Sequence, residues 1–291
     1  METIDLLKKV RKIEIKSRGL TNHIFSGHYH SAFKGKGMTF SEVREYQYGD
    51  DVRSIDWNVT ARLNHPYVKI FEEERELTVM LLIDVSGSNK FGTQKQFKED
   101  LITEIAAVLS FSAIQNNDKV GVIFFSDKVE KFITPKKGSS HILRIIRELI
   151  NFTPSNNETN IAEALRYFTN IIKKKCTAFI ISDFMDNGFD EALKITSKKH
   201  DLVAIRVYDE MESQLPDIGI IKLRNAEDGT TLWVDSSDVH IRKNYQIWWR
   251  QHEKFLNDTF IKSGTDDVKI NTNQDYVKPL MNLFKKRESR Y

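Results

Sequence analysis

The chain has 291 residues, of which 40% are apolar and 29% are charged, so it is long enough to bury a sizeable core. Its 44 basic and 41 acidic residues leave a formal net charge of +3. This balance argues against a nucleic-acid partner, because nucleic-acid-binding proteins normally show a clear basic excess. Cys176 is the only cysteine, which excludes an intrachain disulfide and favours a reducing compartment.

The sequence contains no apolar run close to the ~18–20 residues that a membrane-spanning helix requires. The first residues, METIDLLKKVRKIEIKSRG, mix charged and apolar side chains. They predict an amphipathic helix with Ile4, Leu7 and Val10 on one face, and not a secretory signal. We therefore predict a cytoplasmic protein without a membrane span.

Residues 1–76 combine this helix with turns, short alternating strands and much polar material, and they predict a small strand-containing N-terminal module. From Leu77 onward, strand and helix patterns alternate. The predicted strands are TVMLLIDV, KVGVIFFSD, KVEKFITP, CTAFIISDF and DLVAIRVYD, and the predicted helices are FKEDLITEIAAVLSF, HILRIIRELI, NIAEALRYFTNIIKKK and FDEALKITSKKH. This order predicts an α/β fold with a doubly wound, mainly parallel sheet and helices on both faces.

The alternation breaks after Asp209. The stretch IGIIKLRNAEDGTTLWVDSSD predicts a hairpin around Glu227-Asp228-Gly229, since Asp-Gly between two extended runs is a strong turn signal. A long helix ending near Gly264, a last strand DDVKINTN and a final helix YVKPLMNLFKKRES follow. We assign residues 77–291 to one α/β domain with a hairpin excursion near residues 210–240.

Oxygen-bearing side chains occur where the predicted strands end. Asp84 follows MLLI, Ser86 and Ser88 follow it at alternate positions, and Asp183 follows FIIS, while Thr159 precedes a helix. Ligand sites of open parallel sheets lie at the carboxyl ends of the strands. Hard oxygen ligands with few charges favour Mg²⁺, with Mn²⁺ as an alternative, and we predict that these five residues hold the ion.

Two carboxylates and three hydroxyls neither fill six coordination positions nor fully neutralise the ion. At least one position is left for water or for an incoming ligand. A carboxylate from another protein would be a favoured sixth ligand, so the pattern predicts a metal-dependent protein-binding site.

Each of these residues also has an ordinary structural explanation. Asp84 with Ser86 is typical of an Asx turn that leads into a helix, and Thr159 is typical of a helix cap. Asn160 with Glu163, however, already resembles a capping pair, which leaves the Thr159 hydroxyl for another use.

The order Asp-x-Ser-x-Ser, then Thr, then Ser-Asp resembles the von Willebrand factor A domain with its metal-ion-dependent adhesion site. The resemblance covers roughly residues 77–209 and implies that Asp84, Ser86, Ser88, Thr159 and Asp183 form that site.

A second resemblance rests on GKGMTFSEVREYQYGDDVRSIDWNVTARLNHPYVKIFEEERE. This segment is similar to the signature of the bacterial family called domain of unknown function 58, in which it precedes a von Willebrand A-like domain. The matching positions are Gly35, Gly37, Phe40, Arg44, Tyr46, Gly49, Asp50, Asp51, Arg53, Asp56, Trp57, Ala61 and Arg62. The resemblance implies no catalytic activity, and it implies an adaptor role with a MoxR-type AAA+ ATPase in a chaperone-like assembly.

We favour a structural role for the signature over a second active site. Gly49-Asp50-Asp51 is typical of a turn, and Asp56 with Arg53 or Arg62 predicts a buried ion pair.

The competing hypothesis is a metal-dependent phosphatase resembling haloacid dehalogenases. Those enzymes place an aspartate after the first strand and a second aspartate two residues later as the general acid. This chain has Ser86 at the second position, so the general acid is absent and a non-enzymatic binding module is the better interpretation.

Overall fold

The computed structural model describes residues 3–21, 29, 38–73, 77–92, 97–227 and 229–289. The chain forms two compact units, a small unit of residues 34–77 and a large unit of residues 1–33 and 78–291. Gly35 and Gly37 of the signature, and Asp228 of the predicted hairpin turn, lie outside the described residues.

The large unit is built on a six-stranded sheet within the described part of the chain. Its strands are β3 (Thr78–Asp84), β4 (Lys119–Phe125), β5 (Val129–Lys136), β6 (Thr177–Ser182), β7 (Asp201–Tyr208) and β10 (Asp266–Asn271). They lie in the order β10-β7-β6-β3-β4-β5. All neighbours are parallel except β4 and β5, which a short turn joins as an antiparallel pair. The predicted doubly wound, mainly parallel sheet is confirmed.

Seven α-helices with bounds in the described residues belong to this unit. They are α1 (Thr3–Leu20), α3 (Lys98–Gln115), α4 (Ser139–Ile150), α5 (Ile161–Ile171), α6 (Asp190–Lys199), α7 (Val239–Ser263) and α8 (Val277–Glu288). α7 ends at Gly264, whose left-handed backbone (φ 69°) closes the helix as predicted from the sequence. α5 ends at Ile171, earlier than the predicted helix that ran through the following lysines.

Both faces of the central strand β3 are covered by helices. Met80 and Leu82 belong to a buried cluster with apolar residues of α5, α6 and α7. The helices α1, α3 and α4 contact one another, and α3 contacts β3, β4 and β7. Every residue from Val79 to Asp84 is buried, so both faces of β3 require buried side chains. This is why the sequence of β3 is a continuous apolar run up to Asp84 and does not alternate between apolar and polar residues.

The predicted N-terminal module of residues 1–76 is divided between the two units. α1 groups with the large unit because its apolar face is buried there: Val10 and Ile13 are each 6% exposed, and α1 contacts α3 and α4. The amphipathic pattern at Val10 correctly indicated a buried face, but it did not indicate which unit buries it.

The hairpin predicted after Asp209 is present between β7 and α7. Its strands β8 (Ile220–Arg224) and β9 (Thr231–Asp235) pair antiparallel and form a sheet of their own. Ser236 fastens the base of the hairpin, since its backbone N–H and its hydroxyl both donate to the Gly219 carbonyl, at 2.8 and 2.7 Å.

The small unit is an antiparallel pair, β1 (Met38–Glu45) and β2 (Tyr67–Glu73), with the short helix α2 (Trp57–Leu63) between the strands. The turn predicted at Gly49-Asp50-Asp51 is present, with Gly49 at φ 110°. The Arg44 guanidinium donates two hydrogen bonds to the Asp50 carboxylate, at 2.8 and 2.7 Å, and so closes the turn.

The predicted ion pair of Asp56 with Arg53 or Arg62 is not the pairing that the structure has. Asp56 caps the first turn of α2, accepting hydrogen bonds from the backbone N–H groups of the next turn, and its charged neighbour is Lys69 at 3.5 Å. Residues on the partner strand β2 come closer to Asp56 than the arginines that are near it in sequence.

Candidate metal centre

The strand order places Asp84 and Asp183 at the same edge of the sheet. β3 and β6 are parallel neighbours in which Ile83 pairs with Ile181, so Asp84 lies opposite Ser182 and next to Asp183. After β5 the chain crosses to the other side of β3 to form β6. The site therefore lies at the point where the winding of the sheet reverses, the usual ligand position in this architecture.

Asp84 is a buried carboxylate held by neutral donors. One of its oxygens accepts the Ser86 backbone N–H at 2.9 Å, and the other accepts the Ser182 hydroxyl at 2.6 Å. Burial, together with the nearby charge of Asp183, raises the pKa of Asp84 to about 6. The Asx turn considered from the sequence is thus present, and the carboxylate that makes it lacks a cationic partner among the described residues.

Ser86 and Ser88 continue from Asp84 into the site. Their hydroxyl oxygens are 3.1 Å apart, and the Ser88 hydroxyl bonds the Asp183 carboxylate. The side-chain amide nitrogen of Asn89 donates to the backbone carbonyl of Asp84 at 2.9 Å and fixes the loop. The side-chain oxygen of Asn89 is buried and has no hydrogen-bond partner in the described part of the chain.

Asp183 differs from Asp84 because it has a buried cation beside it. The Lys98 ammonium, in the first turn of α3, lies 2.8 Å from Asp183 and 2.6 Å from Glu212. Burial acts to raise the pKa of Asp183, but the charge of Lys98 and the hydrogen bonds from Lys98, Ser88 and the Met185 backbone N–H together hold that pKa below its ordinary value. The two carboxylates raise the pKa of Lys98 in turn, although burial opposes this, so the lysine stays charged.

Thr159 reaches the site on a loop that several hydrogen bonds fix. The Gly87 backbone N–H donates to the Asn157 carbonyl at 3.0 Å and joins this loop to the one after β3. The Asn160 side chain caps α5 by accepting the Glu163 backbone N–H at 2.9 Å. The reciprocal bond of the predicted capping pair is not formed, because the Asn160 backbone N–H donates to the Ser126 carbonyl at 2.8 Å. The Thr159 hydroxyl takes no part in this cap, which Asn160 makes.

The backbone is strained directly after Asp183. Phe184 is a buried, bulky residue at φ 58°, a conformation that such side chains rarely adopt. Its ring packs 5.3 Å from Phe260 and 5.9 Å from Phe189, measured between centroids. This packing holds the strained residue and, through it, the direction in which Asp183 points.

The structure therefore brings four of the predicted residues into contact, Asp84, Ser86, Ser88 and Asp183, and joins the loop that carries Thr159 to theirs. It adds three residues that the sequence did not single out as part of the site: Lys98, Ser182 and Glu212. Only Ser182 carried a usable signal, because it immediately precedes Asp183 at the end of a strand. Lys98 looked like an ordinary polar residue in the first turn of an amphipathic helix.

The donor set suits a hard divalent cation. No group of three or more His, Cys, Asp or Glu side chains in the described ranges is arranged to hold a metal ion, so an ion here would depend on hydroxyl oxygens. The Asn89 side-chain oxygen has no hydrogen-bond donor and the Asp84 carboxylate has no cation beside it among the described residues. Both oxygens could therefore accept a cation at this loop. Magnesium accepts such oxygen donors together with water.

The large unit is a von Willebrand factor A-like α/β domain, with the Asp-x-Ser-x-Ser loop at the sheet edge where the sequence predicted it. The chain belongs to the family described as "Protein of unknown function DUF58", whose model matches residues 42–255. The resemblance to this family seen in the sequence is thereby confirmed.

One relative matches along almost the full chain, and two solved structures match about three quarters of it. The uncharacterized protein Rv1480 of Mycobacterium tuberculosis is 27% identical over 285 residues, which cover 97% of this chain and 90% of that protein. An aerotolerance-related membrane protein from Bacteroides fragilis has a TM-score of 0.49 at 15% identity, covering 74% of this chain and 100% of that one. The SpRpn10 VWA domain has a TM-score of 0.38 at 12% identity, covering 72% and 95%.

The predicted cytoplasmic localisation is contradicted by these comparisons and is not retained. The Bacteroides fragilis chain is described as a membrane protein. Among the residues that the structure describes, no helix is both long and apolar enough to cross a membrane. The localisation was predicted from the single cysteine and from the lack of a secretory signal and of a long apolar run, and these features do not report where a protein is held.

Proposed function

We propose that this chain is a non-enzymatic protein-binding module that uses a divalent cation to recognise an acidic side chain of its partner. Asp84, Ser86, Ser88, Thr159 and Asp183 would hold the ion, Mg²⁺ in preference to Mn²⁺. The ion would supply an electrophilic centre that is only partly neutralised by the protein. A MoxR-type AAA+ ATPase, or a client protein of such an assembly, is the proposed partner.

One observation carries this proposal: Asp84 is a fully buried carboxylate that only neutral groups contact among the described residues. Burying an uncompensated charge is costly, and buried carboxylates are normally paired or bound to metal. A cation beside the Asp84 oxygens would remove that cost.

The surrounding side chains have roles that do not require chemistry on a substrate. Ser182 and the Ser86 backbone N–H orient Asp84, and Lys98 orients Asp183 while limiting the negative charge of the site. Position 86, where the phosphatase hypothesis needs an acid, holds a serine whose hydroxyl contacts Ser88. The phosphatase reading gains no support from this arrangement.

Thermal denaturation with and without Mg²⁺ tests the proposal. Mg²⁺ or Mn²⁺ should raise the melting temperature of the wild-type chain, and Asp84→Ala should abolish the gain. Glu191→Gln, at an exposed position on α6, is the matched control and should keep it. Pull-down of a co-encoded MoxR-type ATPase should weaken both in EDTA and with Asp84→Ala. Phosphate-ester hydrolysis that depends on Asp84 would contradict the proposal and favour the enzyme hypothesis.

A further inference from the structure

A groove of about 570 Å³ runs between α6 and α7. The Phe189 ring at the start of α6 lies 6.2 Å from the Phe255 ring, measured between centroids. Further along, the Ser197 hydroxyl donates to the Ser263 carbonyl at 2.7 Å. The two contacts are separated by the same number of residues in both helices, so α6 and α7 run in the same direction along the groove.

The floor of this α6–α7 groove presents apolar side chains to solvent. Ile195 is 55% exposed and Phe255 is 36% exposed. The Phe255 ring is held by contacts with the rings of Phe189 and His252. Trp248, 47% exposed, stacks on His252 and extends the apolar surface along α7. Exposed apolar side chains that gather in a concave surface are typical of a binding site.

Exposed charged side chains line the groove in a fixed order. They are Asp190, Glu191, Asp258, Lys194, Lys262 and Lys198. On each helix the acidic residues precede the lysines, and because the helices run in the same direction, one end of the groove is acidic and the other end is basic. None of these six side chains has an ion-pair partner among the residues that the structure describes.

The helix dipole alone does not account for this separation of charge. It favours the acidic residues in the first turn of α6 and the lysines in its last turn. Asp258, however, lies far from the start of α7, where the dipole offers a carboxylate no stabilisation. The acidic end of the groove is therefore a property of the two helices together.

We propose that the α6–α7 groove binds an amphipathic helix of a partner protein, whose apolar face packs on Ile195 and Phe255. A groove that follows two helix axes accepts a third helix by ordinary ridges-into-grooves packing. The bound helix lies antiparallel to α6 and α7. Helices favour acidic residues in the first turn and basic residues in the last, and in this orientation those ends meet the lysines and the carboxylates of the groove.

This surface goes beyond the proposed function, because the groove shares no residue with the candidate metal centre and its binding requires no metal ion. A partner could contact both surfaces, but each is tested separately.

Two synthetic peptides test the groove by fluorescence polarisation in EDTA. Both are amphipathic helices of about 16 residues with leucines on one face. The first peptide has glutamates in its first turn and lysines in its last turn, and the second has these charges reversed. The full chain should bind the first peptide at least about tenfold more tightly at low salt, since like charges placed opposite each other weaken association.

A charge-swapped protein separates the groove from the helicity of the peptides. Glu191→Lys combined with Lys198→Glu should invert the preference, and the peptides themselves are unchanged in this comparison. Ile195→Asp should abolish binding of the first peptide. Ile15→Asp is the matched control, since Ile15 is 64% exposed on α1, and it should bind as the wild type does. Circular dichroism checks that each variant is folded.

Equal affinity for the two peptides, or a preference that the charge swap leaves unchanged, would overturn the proposed helix site. Sedimentation that shows dimers of the wild type but not of Ile195→Asp would assign the groove to a second copy of the chain and would also overturn it. Because every measurement is made in EDTA, none of these results decides whether the metal centre binds Mg²⁺.

Discussion

The ammonium of Lys98 lies 2.8 Å from the Asp183 carboxylate, and both side chains are buried at the edge of the sheet. The protein thus neutralises one of its two site carboxylates with a fixed cation of its own. Asp84, on the neighbouring strand, receives only neutral hydrogen bonds. An added metal ion would therefore act mainly on Asp84, and the two aspartates have different parts in the same site.

Replacing Lys98 with methionine should strongly destabilise the protein. The substitution leaves the Asp183 and Glu212 carboxylates buried without their cation, and breaking such a buried pair costs about 3–5 kcal/mol of unfolding free energy. Urea denaturation in EDTA measures this loss. Mg²⁺ should restore more stability to Lys98→Met than it adds to the wild type, since the ion would also act on Asp183.

The control for this substitution is Lys173→Met, at an exposed position after α5. It should change the unfolding free energy by no more than about 0.5 kcal/mol. Equal stability of the two variants would show that Lys98 does not hold the site together.

Stability in the absence of metal should depend on pH through Asp84. Its pKa of about 6 lies above the ordinary value, so the folded protein keeps a proton that the unfolded chain releases between about pH 4 and 6. The stabilisation from this proton is present at low pH and is lost as the pH rises through 6. The Asp84→Asn variant, which cannot titrate there, should gain up to roughly 3 kcal/mol over the wild type between pH 4 and pH 7.5.

Urea denaturation of both proteins in EDTA across this pH range makes the comparison. If the unfolding free energies of the two proteins change with pH in parallel, Asp84 titrates normally and its burial carries no cost.

Replacing Ser182 with alanine should destabilise the fold by about 1.5–3 kcal/mol, because a buried hydrogen bond to a charged group is lost. The Ser182 hydroxyl donates to Asp84 at 2.6 Å and accepts the Phe184 backbone N–H at 3.0 Å. Mg²⁺ affinity should fall as well, since Asp84 loses the group that orients it.

Ser110→Ala is a sharp control for the serine substitution. Ser110 is equally buried, on α3, and its hydroxyl has no hydrogen-bond partner among the described residues. Its removal should be neutral or slightly stabilising by chemical denaturation. A loss as large as that of Ser182→Ala would mean that burial, and not the Asp84 contact, sets the effect.

Gly87→Ala should displace the hairpin tip. The new Cβ would lie 2.5 Å from the Ala226 carbonyl oxygen and 2.7 Å from the Asn157 Cβ, and the backbone atom cannot yield cheaply. We expect about 1–3 kcal/mol of destabilisation, as for other overpacked sites. Limited proteolysis should show faster cleavage within the hairpin.

Gly19→Ala, in α1, is the matched control because a Cβ there meets no atom within 4 Å. It should be neutral or stabilising, since alanine favours a helix over glycine. Unchanged hairpin cleavage in Gly87→Ala would contradict the close contact between tip and loop.

Patterns that repeat along the chain predicted most of the fold. The apolar run before Asp84 and the one before Asp183 identified buried parallel strands, and the carboxyl ends of such strands meet at one edge. That geometric rule is why the proximity of Asp84 and Asp183 was predictable from a single sequence. The signal at Gly264 likewise predicted the end of α7, because glycine adopts the left-handed backbone there without strain.

Contacts between distant segments were not predictable in the same way. Lys98 is polar in a helix, and nothing in its neighbours indicates that α3 turns it inward onto Asp183. Glu227 lies in a turn that was recognised, but the direction in which the hairpin folds back depends on contacts such as Gly87 with Ala226. The packing of α1 in the large unit was not predictable either, because it depends on contacts with α3 and α4, which lie far along the chain.

The pairing of β3 with β6 has a consequence for the order of folding. Asp84 and Ser182 are 98 positions apart in the chain, and the intervening strands β4 and β5 extend the sheet on the other side of β3. Long loops close slowly, so a nascent chain can assemble β3, β4 and β5 well before the second carboxylate arrives. Acquisition of the metal ion would then follow the pairing of β6 with β3 and would report that this pairing has formed.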